Sequence, residues 1–193
     1  FQAAGAFGLV ALIWAGWVLA QGGSWWGPLH AFLAGTVLLA ISGATQMFTI
    51  TWSSASPPTR RSSGLQGGAL VVGTALMLIG VSNGLDVLTW VGGVLLVGAL
   101  ALLGAILRGV IRRSLLRRFD LSSRFYLLAL ACGVVGVTLG VLLGSGAVDA
   151  SFAATRLVHL HLNLVGLVGF TILGTVPTLL PTFAHHRAVS GRE

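Results

Sequence analysis

Three histidines near the starts of two long apolar stretches are the residues of this chain best suited to chemistry. His30 lies two residues after Pro28, and His159 and His161 lie near the start of the apolar stretch 156–183. Ionisable side chains inside a membrane-spanning segment are rare and costly, and they mark functional sites by default. Neutral imidazoles from two neighbouring helices at one depth can bind one metal from opposite sides. The histidines therefore predict a metal site.

The second and sixth apolar stretches share a sequence pattern that begins with one of these histidines. HAFLAGTVLLAISG begins at His30, HLNLVGLVGFTILG begins at His161, and both read H-x-x-L-x-G-x-V-x-x-x-I-x-G. Apolar helices match at Leu and Val by chance, but a shared histidine with two shared glycines is much harder to obtain that way. Each copy also follows another apolar stretch and a polar loop. We therefore predict a parallel helix-pair repeat, spans 1–2 and 5–6, around an axis along the membrane normal.

His30 and His161 are the predicted ligand pair, because the repeat places them at the same depth. A six-coordinate b-type haem takes one histidine nitrogen on each face of its iron. Copper or another metal is an alternative, as is a hydrogen-bonded interfacial histidine without metal. His159 lies two residues before His161, so it points about 200° away from it around the helix. We expect His159 to face a different site, such as copper or a quinone, or to lie among lipid headgroups.

Arg156, Gly35 and Gly166 are the other predicted members of the site. Arg156 lies about one turn before the histidines and either pairs with haem propionates or anchors a lipid phosphate. Gly35 and Gly166 are equivalent in the repeat. They either let membrane helices approach closely or make room for a flat macrocycle, and the sequence leaves both alternatives open.

The elements that must position these residues are membrane-spanning helices. The chain is 55% hydrophobic and 8% charged, far below the roughly 25% charged residues of a soluble domain. No stretch alternates as a barrel strand does, so we predict an all-α integral membrane protein. A spanning helix needs about 20 apolar residues. Six stretches qualify: roughly 2–20, 28–52, 67–82, 87–108, 124–145 and 156–183.

The arginines predict the orientation of these spans. Arg60 and Arg61 lie in the predicted loop 53–66, six more arginines lie in 108–124, and Arg187 and Arg192 lie in the tail. Counting the spans puts all three regions on one side, which the excess of positive charge marks as cytoplasmic. Both termini are then cytoplasmic in a bacterial inner membrane, and the starts of spans two and six face outside.

The same placement of charge decides the surface contacts. The net charge of +7 is explained by topology signals that contact anionic lipid, so nucleic acid is not an expected partner. His185 and His186, beside the arginines of the tail, are expected to be interfacial residues and not ligands.

Absent residues exclude several classes of activity. The only acids are Asp86, Asp120, Asp149 and Glu193, and none lies in the middle of a span, where a proton pump or cation-coupled transporter normally carries carboxylates. The single cysteine, Cys132, excludes an internal disulfide. No nucleophile–base pair or phosphate-binding loop is present. We expect residues 1–193 to form one transmembrane domain that is part of a longer chain.

The run from His159 to Gly174 resembles a known motif. HLHLNLVGLVGFTILG, followed by Pro181, resembles a motif of small membrane proteins related to subunit I of the haem–copper oxidases. It is also similar to the haem- and copper-carrying membrane family of the nitric-oxide response, and to the membrane-spanning N-terminal domain of actinobacterial copper nitrite reductase-like (multicopper oxidase) proteins. The resemblance implies haem b on His161 and His30, with His159 as the second histidine of the motif.

The resemblance also implies a function and partners. We expect a haem b-binding electron-transfer domain that links the quinol pool to an outward-facing redox protein or domain. The resemblance also leaves room for a homo-oligomer. If the chain is part of an enzyme, that enzyme is an oxidoreductase. A copper-binding membrane protein using His30, His159 and His161 is one alternative, and a non-catalytic anchor or assembly subunit of a respiratory complex is another. An oxidase subunit I has about twice as many spans and further histidines for copper, so oxygen reduction by this chain alone is not expected.

Overall fold

In lipid, the backbone N–H and C=O groups of a long apolar segment can hydrogen-bond only within that segment. Each such segment therefore folds as a helix. The computed structural model describes residues 1–114 and 120–183, and no strand occurs within them. Within these residues, six helices are long and apolar enough to cross a membrane, which confirms the predicted all-α membrane fold with six spans. They are α1 (Gln2–Gln21), α2 (Trp26–Ser53), α3 (Arg60–Asn83), α4 (Asp86–Arg112), α5 (Asp120–Gly144) and α6, made of Phe152–His161, Leu162–Gly169 and Phe170–Phe183 in succession.

Helix α3 begins earlier than the sequence predicted. It starts at Arg60 and not at 67, because the Thr59 hydroxyl caps it by accepting a hydrogen bond from the Ser62 amide at 3.2 Å. The polar residues of its first turns also find partners in the bundle: the Ser42 hydroxyl of α2 donates to Gln66 Oε1 at 2.9 Å. The predicted loop 53–66 is therefore shorter, and its arginines occupy the first turn of the helix.

Glycines bring α3 and α4 into backbone contact. A Cβ atom built on Gly92 of α4 would lie 2.6 Å from the Met77 amide nitrogen of α3, and one built on Gly80 would lie 2.5 Å from the Thr89 amide nitrogen. Small residues permit such approaches between membrane helices, where van der Waals packing replaces the hydrophobic effect as the driving force. The contact leads into a core of fully buried leucines, namely Leu70, Leu96, Leu100, Leu103 and Leu107.

Helices α2 and α6 share an irregularity at the aligned histidines. The α-helix gives way to a π-helix over Ala31–Val37, directly after His30, and over Leu162–Gly169, directly after His161. π-helical turns are rare and often mark functional sites. The aligned segments therefore have the same local backbone form, while the wider repeat of spans 1–2 and 5–6 stays a prediction.

Three connections meet at the end of the bundle where the histidines lie. They are residues 22–25, the turn at Gly84, and residues 145–151. A Cβ on Gly144, at the end of α5, would contact Val81 at 2.9 Å and Thr89 at 3.5 Å, so the second and third connections are neighbours. We call this end the histidine end of the bundle.

The glycine contact between α3 and α4 generates a stability prediction. Gly92→Leu forces a side chain into the Met77 backbone and should destabilise the protein by about 1–3 kcal/mol, the usual range for overpacking. Gly98→Leu is the matched control, because a Cβ at Gly98 of the same helix meets nothing within 4 Å. Thermal unfolding in detergent checks both variants. Equal melting temperatures for the two would contradict the packing described here.

Candidate two-histidine site

The imidazole rings of His30 and His159 face one another across the histidine end of the bundle. Their centroids lie 6.4 Å apart and their planes differ by 18°. His30 belongs to α2 and His159 to α6, and both side chains are half-buried. The sequence had paired His30 with His161, so the structure brings together a different pair from the one expected.

His30 is held by its own helix. Its Nδ1 lies 2.8 Å from the carbonyl oxygen of Trp26, four residues earlier. Its ring also stacks on the Trp26 indole, with the centroids 4.3 Å apart and the planes within 20°. A carbonyl oxygen can only accept, so Nδ1 of His30 carries the proton.

His159 is held by a neighbouring helix. Its Nδ1 lies 2.8 Å from the carbonyl oxygen of Gly136 in α5. Its ring lies against Gly140, where a Cβ atom would come within 2.6 Å of Cε1. Two glycines one turn apart thus leave a groove in α5 that admits the imidazole and exposes a carbonyl lone pair to it.

Asn163 also contacts His159. Its side-chain amide donates to the His159 carbonyl oxygen at 2.9 Å and lies 3.3 Å from Nδ1 of the same residue. Because the Gly136 carbonyl requires a donor, Nδ1 is protonated and cannot also accept from Asn163. The 3.3 Å contact is a near approach and not a hydrogen bond.

In the neutral form of each imidazole, Nε2 is therefore the nitrogen that carries the free lone pair. Within residues 1–114 and 120–183, neither Nε2 atom has a hydrogen-bond partner. Histidines that bind metals almost always donate their other ring N–H to a carbonyl or carboxylate, which fixes the tautomer and raises the basicity of the ligating nitrogen. His30 and His159 both make this hydrogen bond through Nδ1.

The separation of the ring centroids is compatible with one metal between the two histidines, an arrangement that also requires the two Nε2 atoms to point toward one another. Metal–imidazole bonds are about 2 Å long and the nitrogen lies about 1 Å from the ring centre, so two rings on opposite sides of a metal have centroids about 6 Å apart. The observed distance is 6.4 Å. In the described part of the chain, no group of three or more His, Cys, Asp or Glu side chains could hold a metal, so the described residues offer these two imidazoles.

His161 lies on the outer surface of α6. Its side chain is exposed, and Nδ1 donates to the Leu157 carbonyl at 2.8 Å, four residues back, as in His30. Helical periodicity explains why His159 faces inward instead: it shares a face with Asn163, Gly166 and Gly174, which lie close to α5. Helical periodicity alone predicts that face from the sequence, whereas the alignment with His30 selects His161 instead.

The two aligned glycines lie in helix contacts. A Cβ on Gly35 would meet the Phe7 ring of α1 at 2.5 Å, and one on Gly166 would meet Cys132 of α5 at 2.6 Å. These contacts favour close helix packing over room for a macrocycle. Arg156 is exposed, three residues before His159. His185 and His186 lie outside the described residues.

The fold and this site define a helical membrane protein with six potential spans and a pair of histidines at one end of the bundle. No protein-family model matches the chain, and no curated protein or solved structure is significantly similar to it. The resemblance to haem–copper membrane proteins thus stays a prediction based on the histidine motif.

The hydrogen bonds of the two imidazoles generate a prediction about their tautomers. Nitrogen-15 NMR of the histidine-labelled protein should show a protonated Nδ1 for both His30 and His159. Variants with one histidine replaced assign the signals. An unprotonated Nδ1 on His159 would contradict its bond to the Gly136 carbonyl.

Proposed function

We propose that this chain is a haem b-binding membrane domain that transfers electrons, and that His30 and His159 would hold the haem iron. The observation that carries the proposal is the facing pair of imidazoles, 6.4 Å apart, each with Nδ1 bound to a backbone carbonyl. This assignment replaces His161 of the sequence-based pair with His159. The haem-binding class is retained, but Gly35 and Gly166, which lie in close helix contacts, are not part of the proposed site.

The small number of ligands favours haem over a bare metal ion. A haem supplies four equatorial nitrogens of its own, so the protein has to provide only the axial ligands. Copper(I) sites usually include thiolate or thioether groups. Here Cys132 packs against Gly166, and Met47 is 48% exposed, far along α2 from His30. A copper ion held by the two histidines remains the second candidate, because imidazole alone can bind copper.

The residues of the chain set how such a group would be held. The Gly136 and Trp26 carbonyls orient the two imidazoles and fix a proton on Nδ1, while Gly140 and Asn163 restrict movement of His159. Bound haem would supply a one-electron change between ferric and ferrous iron. Arg156 is exposed on the helix that carries His159, where it can pair with a propionate or with a lipid phosphate.

The arginines support an outward-facing site. Arg60, Arg61 and Arg112 lie at the end of the bundle opposite the histidines, and positive charge accumulates on the cytoplasmic side. We infer that the histidine end faces outward from a bacterial plasma membrane, with both termini in the cytoplasm. Quinol on one hand and an outward-facing metalloprotein on the other are the proposed electron partners.

Visible spectroscopy tests the function and the ligand assignment together. The purified protein should show the reduced-minus-oxidised spectrum of a six-coordinate b-type haem. His159→Ala and His30→Ala should each abolish this low-spin spectrum, because each removes one axial nitrogen. His161→Ala is the matched control and should leave it unchanged.

Other results of this experiment are equally specific. Loss of the spectrum in His161→Ala but not in His159→Ala would restore the original pairing of His30 with His161. A colourless protein with one copper per chain would support the copper-binding alternative. A colourless protein without metal would support a non-catalytic anchor.

The glycine groove generates a second, independent test. Gly140→Ala places a methyl group against the His159 ring and should weaken haem binding by about 10–100-fold, the usual effect of disturbing an outer-shell partner of a ligand. Gly98→Ala is the control, since its Cβ would meet no neighbouring atom. Haem titration of the two apoproteins measures the difference. Equal affinities would contradict the role given to Gly140.

A further inference from the structure

A recess beside His30 is lined by three tryptophans. It lies at the histidine end between α1, the start of α2 and the end of α3, and its volume is about 300 Å³. Its wall includes Trp14, Trp17, Trp26, Val18, Ser24 and Ser82. Trp26 is also the residue whose indole stacks on His30, so one side chain belongs both to the recess and to the support of the two-histidine site.

Local backbone structure builds this recess. Gly22 and Gly23 have φ angles of 79° and 132°, which let the connection from α1 to α2 turn sharply beside it. The Trp14 indole lies directly on Gly27, where a Cβ atom could not be placed. The Trp26 amide donates to Ser24 Oγ at 3.2 Å, which leaves the Ser24 hydroxyl proton for another acceptor.

We propose that this recess binds the flat headgroup of a quinol or quinone. Indole faces favour a planar aromatic ligand through offset stacking. Ser24 and Ser82 can hydrogen-bond the ring oxygens, and a recess of about 300 Å³ admits a small ring system. The proposal deepens the proposed function, on which its electron-transfer step rests.

The position of the recess favours a membrane-soluble ligand. Tryptophans collect at the membrane–water interface, and Trp17 is 61% exposed at the rim, with Leu19 and Ile13 of the same helix 73% and 66% exposed. A ligand with an apolar tail can therefore enter from lipid while its polar ring stays at the histidine end. A soluble aromatic metabolite would gain nothing from a recess that opens toward lipid.

Ring contacts connect the recess to the two histidines. Trp26 stacks on His30 with centroids 4.3 Å apart, and His30 lies 6.4 Å from His159. A hydroquinone bound against Trp26 would lose two electrons and two protons and leave as the quinone. If His30 and His159 hold a haem, that haem would accept the electrons one at a time and pass them to an outward-facing one-electron metalloprotein, and the protons would go to water at the histidine end.

Direct binding tests the recess without requiring haem. Equilibrium dialysis of the detergent-solubilised full chain with 2-methyl-1,4-naphthoquinone should show binding that Trp17→Leu weakens at least tenfold. Trp17 is chosen because it is exposed at the rim, so its replacement should not disturb folding, and a melting curve checks this. Trp90→Leu is the matched control, because Trp90 lies at the same end, on α4, and does not line the recess.

The outcomes separate this proposal from the previous one. Equal naphthoquinone affinity in Trp17→Leu and Trp90→Leu overturns the recess as the binding site, and so does the absence of binding; a lipid chain as the natural occupant predicts one of these results. Binding that depends on Trp17 in a protein without haem supports the recess and refutes the haem. With both present, Trp17→Leu should slow haem reduction by the quinol but not by dithionite.

Discussion

The hydrogen bond from His159 to the Gly136 carbonyl determines the geometry of the candidate site. A helix carbonyl already bonded within its own helix has a second lone pair, but a side chain one turn further on normally covers it. At Gly140 that side chain is missing, and the imidazole occupies its place. This hydrogen bond holds the imidazole of α6 against the neighbouring helix α5.

The two π-helical segments share the hydrogen bonding of the histidines that precede them. Each follows an aligned histidine, and each histidine donates its Nδ1 proton to a carbonyl four residues earlier, Trp26 for His30 and Leu157 for His161. Yet the two helices have different surroundings. Helix α2 packs against α1, α3 and α4, and its histidine is half-buried, whereas α6 packs mainly along α5 and its aligned histidine is exposed. The same local structure thus gives one residue inside the site and one outside it.

Much of the fold follows from composition. Six apolar runs separated by short polar segments can satisfy their backbones only as helices, and the structure contains them. The start of α3 was missed because its first turns are polar, and their burial depends on Ser42 and Gln46 of another helix, which hydrogen-bond to Gln66. Helical periodicity from Gly166 back to His159 would have found the inward histidine, whereas alignment alone does not say which face of a helix meets its neighbours.

The sequence by itself determined that the chain is a bundle of membrane-spanning helices and that histidines near two helix starts are its chemically distinctive residues. Both conclusions depend on local chemistry: apolar length, the rarity of ionisable groups in lipid, and helical spacing. Only the tertiary structure decided that His30 meets His159, and that Trp26 joins this pair to a recess formed by α1 and α3. The reason is that the rotation of each helix about its own axis depends on glycine contacts with its neighbours, which no single segment of sequence contains.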